Sequence, residues 1–182
     1  MESERFKKQI SKTFDPILFS KLPMAIQDQI ISDEKKKAKQ GDVRAQHNLG
    51  RIYRGNKEVT QEVAQDYAES VKWYTKAAEQ GHARAQAWLG VMYNLGFGVN
   101  RDYKAAAKWY RKAADQGNVL GQLNIARLYS QGKGVSKNLK EAEKWYLRSA
   151  SYDDDYAYAK KMIKEMYADN KDDWSAILHS IK

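Results

Sequence analysis

Between Asp42 and Ala150 the apolar positions recur in two alternating patterns, both of them helical. In segments such as Ala85–Tyr93 they come every four residues, at Ala85, Leu89 and Tyr93, which is one face of an α-helix. In the segments that follow, Tyr103, Ala107, Tyr110 and Ala114 fall at steps of 0, 4, 7 and 11, again one face. Gly50, Gly90 and Ala126 sit beside the first stripe, where a missing side chain lets a second helix approach. Glycine-rich stretches, Gly96–Asn100 (GFGVN) and Gly132–Ser136 (GKGVS), separate the first pattern from the second. Gly81 and Gly117 end the second helix and start the next pair.

The patterns repeat. Ala45–Tyr53 (AQHNLGRIY), Ala85–Tyr93 (AQAWLGVMY) and Gly121–Tyr129 (GQLNIARLY) align, the first two offset by 40 residues and the next two by 36. Trp73, Trp109 and Trp145 follow at intervals of 36, each beside a tyrosine (Tyr74, Tyr110, Tyr146). The four extra residues of the first unit lie between Tyr53 and Tyr67. A lone helix pair cannot cover its own apolar face, so the units must stack into a helical solenoid. The periodic aromatics fall on the core stripe. Trp73, Tyr74, Trp109, Tyr110, Trp145, Tyr146, Gly81 and Gly117 are therefore expected to be structural rather than ligand-binding.

The succession A-Q-x-x-L-G-x-x-Y, G-x-G-V and D-Y-x-x-A-x-x-W-Y-x-x-A-A-x-Q-G closely resembles the Sel-1-like repeat, a relative of the tetratricopeptide repeat. Ala85–Gly117 matches almost throughout, the third unit drifts after Lys144, and the first lacks the G-x-G. The resemblance covers about Ala38 to Ala150. It implies an all-α, right-handed α-solenoid of stacked antiparallel helix pairs. One structural domain is expected, with a polar segment and capping helix in 1–40 and repeats in 41–81, 82–117 and 118–153. A degenerate unit with a C-terminal capping helix would fill 154–182. In that last segment Asp172 or Asp173 would cap a helix bearing Trp174, Ile177, Leu178 and Ile181. At the other end, Met24–Gln40 reads as the second helix of a degenerate leading unit, with Asp33 at the Trp position.

Composition narrows the functional classes. The chain has 182 residues, no cysteine and only two prolines, Pro16 and Pro23. Disulfide frameworks, thiol catalysis and thiolate metal sites are thereby excluded. The N-terminus has neither the apolar core nor the cleavage site of a secretory signal, and no segment approaches the length of a membrane span. A cytoplasmic location is the expectation. The net charge is +9, and residues 41–150 carry 18 basic against 10 acidic side chains. Such a surface steers acidic partners.

A search for chemistry finds little. His47, His82 and His179 lie in different units without metal-ligand spacing, and they read as packing or surface residues. There is no phosphate-binding loop or nucleophile motif, and the G-x-G turns follow helices rather than strands. The acidic run Tyr152–Tyr158 lacks the spacing of a calcium loop and reads as the start of a helix. The basic run Asp33–Gln40 reads as a solvated helix C-terminus. No cofactor, metal or enzymatic activity is expected.

In tetratricopeptide-like repeats the first helix of each unit lines a concave groove. By register, the groove positions here are Arg44, His47, Arg51 and Arg54, then Arg84, Ala87, Val91 and Asn94, then Leu120, Leu123, Arg127 and Gln131. Arginine grips carboxylates through paired hydrogen bonds. The expectation is a protein-interaction module that holds an acidic partner in this groove. Sel-1-like proteins in bacteria act as adaptors, regulators and immunity proteins, so the resemblance implies a toxin, secretion or signalling component as partner. The alternative is nucleic-acid binding through the basic surface.

Overall fold

The computed structural model describes residues 19, 22–55, 66–150 and 153–167, with the side chains of 153–157 excepted. The leading polar residues 1–14, the four-residue insertion, His179 and the expected capping helix around Trp174 lie outside the described residues. Within them every element is helical: α1 (Met24–Lys39), α2 (Val43–Arg54), α3 (Tyr67–Glu79), α4 (Ala83–Leu95), α5 (Tyr103–Asp115), α6 (Val119–Gln131), α7 (Leu139–Ser149) and α8 (Asp153–Met166). The chain divides after Arg101 into two compact units. In the first, α1 packs on α2, α2 on α3 and α3 on α4; in the second, α5 packs on α6, α6 on α7 and α7 on α8. This is the all-α, paired-helix class that the repeat predicts.

One joint is used three times. Gly41, Gly81 and Gly117 have positive φ, from +81° to +95°. The amides around Gly81 close a Schellman turn, Gly81 N–H donating to Ala78 O (3.0 Å) and His82 N–H to Ala77 O (3.1 Å). The next residue then caps the following helix. Asp42, His82 and Asn118 each accept a backbone N–H three residues on, from Ala45, Ala85 and Gly121. The buried glutamine of each A-Q or G-Q pair locks the joint. Gln46, Gln86 and Gln122 donate to the carbonyls of Ala38, Ala78 and Ala114 at 3.1, 3.0 and 3.4 Å. These carbonyls belong to helix C-termini, where acceptors are otherwise short of donors.

The tyrosine and alanine stripes form the core. Tyr74, Tyr110, Ala77, Ala78, Ala113 and Ala114 are fully buried. Gly50 gives the clearance that the repeat implies: a Cβ there would stand 2.5–2.8 Å from the Tyr74 ring. Trp73 shares a cluster with Ile30 and Ala38 of α1 and Ala45, Leu49 and Ile52 of α2, tying its own helix to the preceding one. Trp145 is equally buried, whereas Trp109 is only half-buried. The helix α8 begins at Asp153, which places the acidic run at a helix N-terminus.

The second glycine of each G-x-G turn does more than reverse the chain. Gly134 has φ +70°, and a Cβ there would press into the Tyr103 carbonyl and lie 2.7 Å from Lys104 N, at the start of α5. Gly98 meets Tyr67 and Ala68 of α3 in the same way. Alanine at 134 must therefore both adopt a left-handed backbone and displace main chain. It is expected to cost about 2 kcal/mol or more in urea denaturation. Gly117→Ala, with positive φ but nothing within 4 Å of its Cβ, should cost about 1 kcal/mol. Equal losses would show that the close approach at Gly134 contributes nothing.

Candidate functional site

The groove positions of the first unit lie on α2 and at the start of α4. Arg44 and Arg84 are exposed, Arg51 and Arg54 half-buried, and His47 is buried with 6% of its surface exposed. The fold brings His47 and His82 together although they lie in different repeats: their rings sit 4.5 Å apart, tilted by 30°. His82 is the N-cap of α4, and its Nδ1 accepts the Ala85 N–H at 3.2 Å. That bond requires Nδ1 unprotonated, so the neutral His82 ring carries its proton on Nε2. Nothing in the spacing of the histidines signalled this. The signal was the repeat itself, because His82 occupies the cap position held by Asp42 and Asn118.

The electrostatics follow from burial and from a surplus of guanidinium groups. Burial, then His82, then Arg51, Arg84 and Arg54 hold the His47 imidazolium down to a pKa of about 3. Burial and Arg84, with Arg44, also lower that of His82. Both rings are neutral at physiological pH. Burial pushes the Tyr74 hydroxyl up to about 12 against the opposing charges of Arg54 and Arg51.

Around this pair several polar atoms are buried without a hydrogen-bond partner: His47 Nε2, Arg54 Nε and the Tyr74 hydroxyl. The Tyr74 ring lies 5.9 Å from that of His47. The Arg54 guanidinium carbon lies over the Trp88 indole, 3.7 Å from its centroid, a contact that holds the cation beside an apolar wall. The buried Glu34 is held by Asn48 at 2.9 Å and Lys37 at 3.1 Å.

The second unit is different in kind. Arg127 is exposed and donates to Asn124 Oδ1 at 2.8 Å. Gln131 is exposed at the end of α6. The 36-residue offset that relates Ala85 to Gly121 carries Asn94 to Ser130, one residue earlier, so Ser130 is the equivalent position by register. Leu120 and Leu123 stand where the first unit has Arg44 and His47. The dense cationic arrangement thus belongs to the first unit, while Asn94 lies half-buried near the end of α4. Among the described residues there is no cluster of metal-ligating side chains and no helix long and apolar enough to cross a membrane.

The Sel1 repeat model matches residues 43–82, 83–118 and 119–151. The chain belongs to the Sel1 repeat family. Sel1 repeat proteins generally mediate protein–protein interactions and are generally non-enzymatic scaffolds. Among solved structures, the chain is similar to c5321, a protective antigen of uropathogenic Escherichia coli with an SLR fold. Identity is 37% over 66% of this chain and 25% of that one, with a TM-score of 0.60. A Sel1 repeat protein from Oxalobacter formigenes is 35% identical over 76% of this chain and 55% of its own, with a TM-score of 0.66. Cysteine rich protein B of Helicobacter pylori shares the fold at 23% identity, covering 72% of this chain and 92% of its own, with a TM-score of 0.53. The chain spans about a quarter and about half of the first two relatives. No curated protein matches it.

Proposed function

We propose that this Sel1 repeat chain is a protein-interaction module that captures an acidic segment or domain through the first helices of its repeats, above all α2 and α4 of the first unit. One observation carries the reading. Four arginines, Arg44, Arg51, Arg54 and Arg84, surround two neutral imidazoles in the first unit, and their field acts on those rings. Like charges gathered in this way cost stability unless an opposite charge offsets them. Arg127, on the first helix of the third repeat, is exposed and basic as well. An adaptor or immunity-type role suits a chain built largely of repeats, with a toxin, secretion or signalling component as partner.

Arg44 and Arg84 are exposed, so reversing them spares the core. The Arg44→Glu, Arg84→Glu variant should melt within a few degrees of the parent yet bind its partner at least about tenfold more weakly. Affinity purification from the native cell, with both proteins at matched expression, reads this directly. A stoichiometric acidic protein recovered with the parent and lost with the variant supports the proposal. Undiminished recovery with the variant overturns the groove assignment, and bound material removed by nuclease favours nucleic acid instead.

A further inference from the structure

The basic first unit contains one place where buried polar atoms gather without partners. His47 is buried, and its Nε2 has no hydrogen-bond partner; Arg54 Nε and the Tyr74 hydroxyl beside it have none either. Buried donors are ordinarily satisfied, and each that is not carries a desolvation penalty. These atoms belong to neighbouring side chains: the His47 and Tyr74 rings are 5.9 Å apart, and Arg54 approaches the Tyr74 hydroxyl closely enough for its charge and a hydrogen-bonding interaction to oppose the effect of burial. Trp88 fixes the Arg54 guanidinium from one side at 3.7 Å, and the His82 ring packs against His47, tilted by 30°. Arg51 and Arg84 add positive potential from the same α2 helix and from α4.

This arrangement is peculiar to the first unit. The positions that align with His47 are Ala87 and Leu123, and those that align with Arg54 are Asn94 and Ser130. Repeat packing therefore does not require a histidine and an arginine here. The tyrosine is different, because Tyr110 and Tyr146 share its position; the repeat supplies it and the first unit adds donors around it.

We propose that His47, Arg54 and Tyr74 form a carboxylate-binding site, and that an aspartate, glutamate or terminal carboxylate of the acidic protein partner anchors there. The inference rests on the protein-binding reading and adds the group that is recognised. A carboxylate would accept from Arg54 Nε–H, from the Tyr74 hydroxyl and from His47 with its Nε2 protonated, satisfying all three atoms at once. Because the arginines and burial disfavour the imidazolium while the site is empty, an incoming negative charge should draw a proton onto the His47–His82 pair. Binding and proton uptake are then linked.

The test uses the intact chain and N-acetyl-aspartate as probe, followed by nuclear magnetic resonance of the imidazole and Arg Nε–H groups. Sodium chloride at matched ionic strength is the control, and inorganic phosphate is a second arm. Saturable shifts of the His47, His82 and Arg54 resonances are expected with the carboxylate, with affinity rising up to about tenfold per pH unit lowered below neutrality. Tyr74→Phe keeps the buried ring and should weaken binding at least about threefold. Arg54→Gln should abolish saturation. Tyr110→Phe, the same position in the next repeat, should change nothing. Equal shifts with chloride, or saturation that survives both Arg54→Gln and Tyr74→Phe, would overturn the site. Tighter binding of phosphate than of the carboxylate would overturn the assignment to a polypeptide group. A probe that binds while the acidic partner binds equally well to the Tyr74→Phe protein leaves the interaction module standing and removes only its anchor.

Discussion

Trp145→Ala should remove about 3–5 kcal/mol from the stability of the second unit, whereas Trp109→Ala should remove roughly half of that. The two residues hold the same place in consecutive repeats, so the contrast isolates burial from chemistry. Trp145 on α7 is 1% exposed, with the guanidinium groups of Arg111 on α5 and Arg148 on its own helix each 4.9 Å from its ring. Arg111 in turn donates to the Tyr129 hydroxyl at 2.8 Å, so the indole seals a small assembly joining three helices. Its Nε1 is buried without a partner, and its contribution is therefore packing and cation–π contact rather than hydrogen bonding. Trp145→Phe should accordingly recover more than half of what alanine loses. Trp109 is only half-buried, with Lys112 over its face at 4.7 Å, and truncation there leaves a site that water can fill. Urea denaturation followed by circular dichroism gives both values. Equal losses at 109 and 145 would mean that the period, and not the burial, sets the energetics.

That difference was not legible in the sequence, and the reason is general. A repeat written in the residues fixes which positions face inward within a helix pair, because those contacts recur wherever the pair does. Tyr74, Tyr110 and Tyr146 all proved buried for that reason, and the Gly81 and Gly117 joints fall where the pattern puts them. How deeply a residue between pairs is covered depends on its particular neighbours, which is why Trp109 is half-buried while Trp73 and Trp145 are buried. Spacing marks the second glycine of G-x-G as a turn residue and cannot show that a Cβ there would meet backbone one helix further back, at the start of α5 for Gly134 and of α3 for Gly98. The candidate site was legible in part. Register assigns Arg44, His47, Arg51, Arg54 and Arg84 to one groove; in the structure Arg51, Arg54 and Arg84 act on His47, and Arg44 and Arg84 on His82. The spacing of the histidines carries no sign that His47 and His82 meet. Their contact arises from a cap, a function any short acceptor can fill, and Asp42 and Asn118 show that the position carries no preference for imidazole. Tyr74 was assigned to the core, where its ring lies, and only its hydroxyl faces the unpaired donors.

Acid should destabilise the first unit well above the pH at which its carboxylates protonate. In the unfolded chain His47 titrates near its ordinary value of 6.5, whereas in the folded protein it stays neutral down to about 3. Below 6.5 the unfolded state therefore binds a proton that the folded state does not, and stability falls as pH falls. The loss is about 1.4 kcal/mol for each pH unit in that window, or about 3 kcal/mol by pH 4, and it levels off below about 3. His82, lowered for the same causes of burial and neighbouring arginines, adds in the same direction. His47→Gln should flatten the slope between pH 6.5 and 4, because glutamine has no proton to take up and the Arg51, Arg54 and Arg84 charges no longer oppose one. A slope unchanged by that substitution would mean that carboxylates elsewhere, and not the imidazole, govern acid sensitivity. The carboxylate site makes a second demand on the same curve. A bound anion offsets the arginine field, raises the imidazole pKa toward its unfolded value and so removes the cause of the slope. Saturating N-acetyl-aspartate should therefore protect the parent against acid far more than it protects His47→Gln. Protection of both proteins alike would be ordinary screening by added salt.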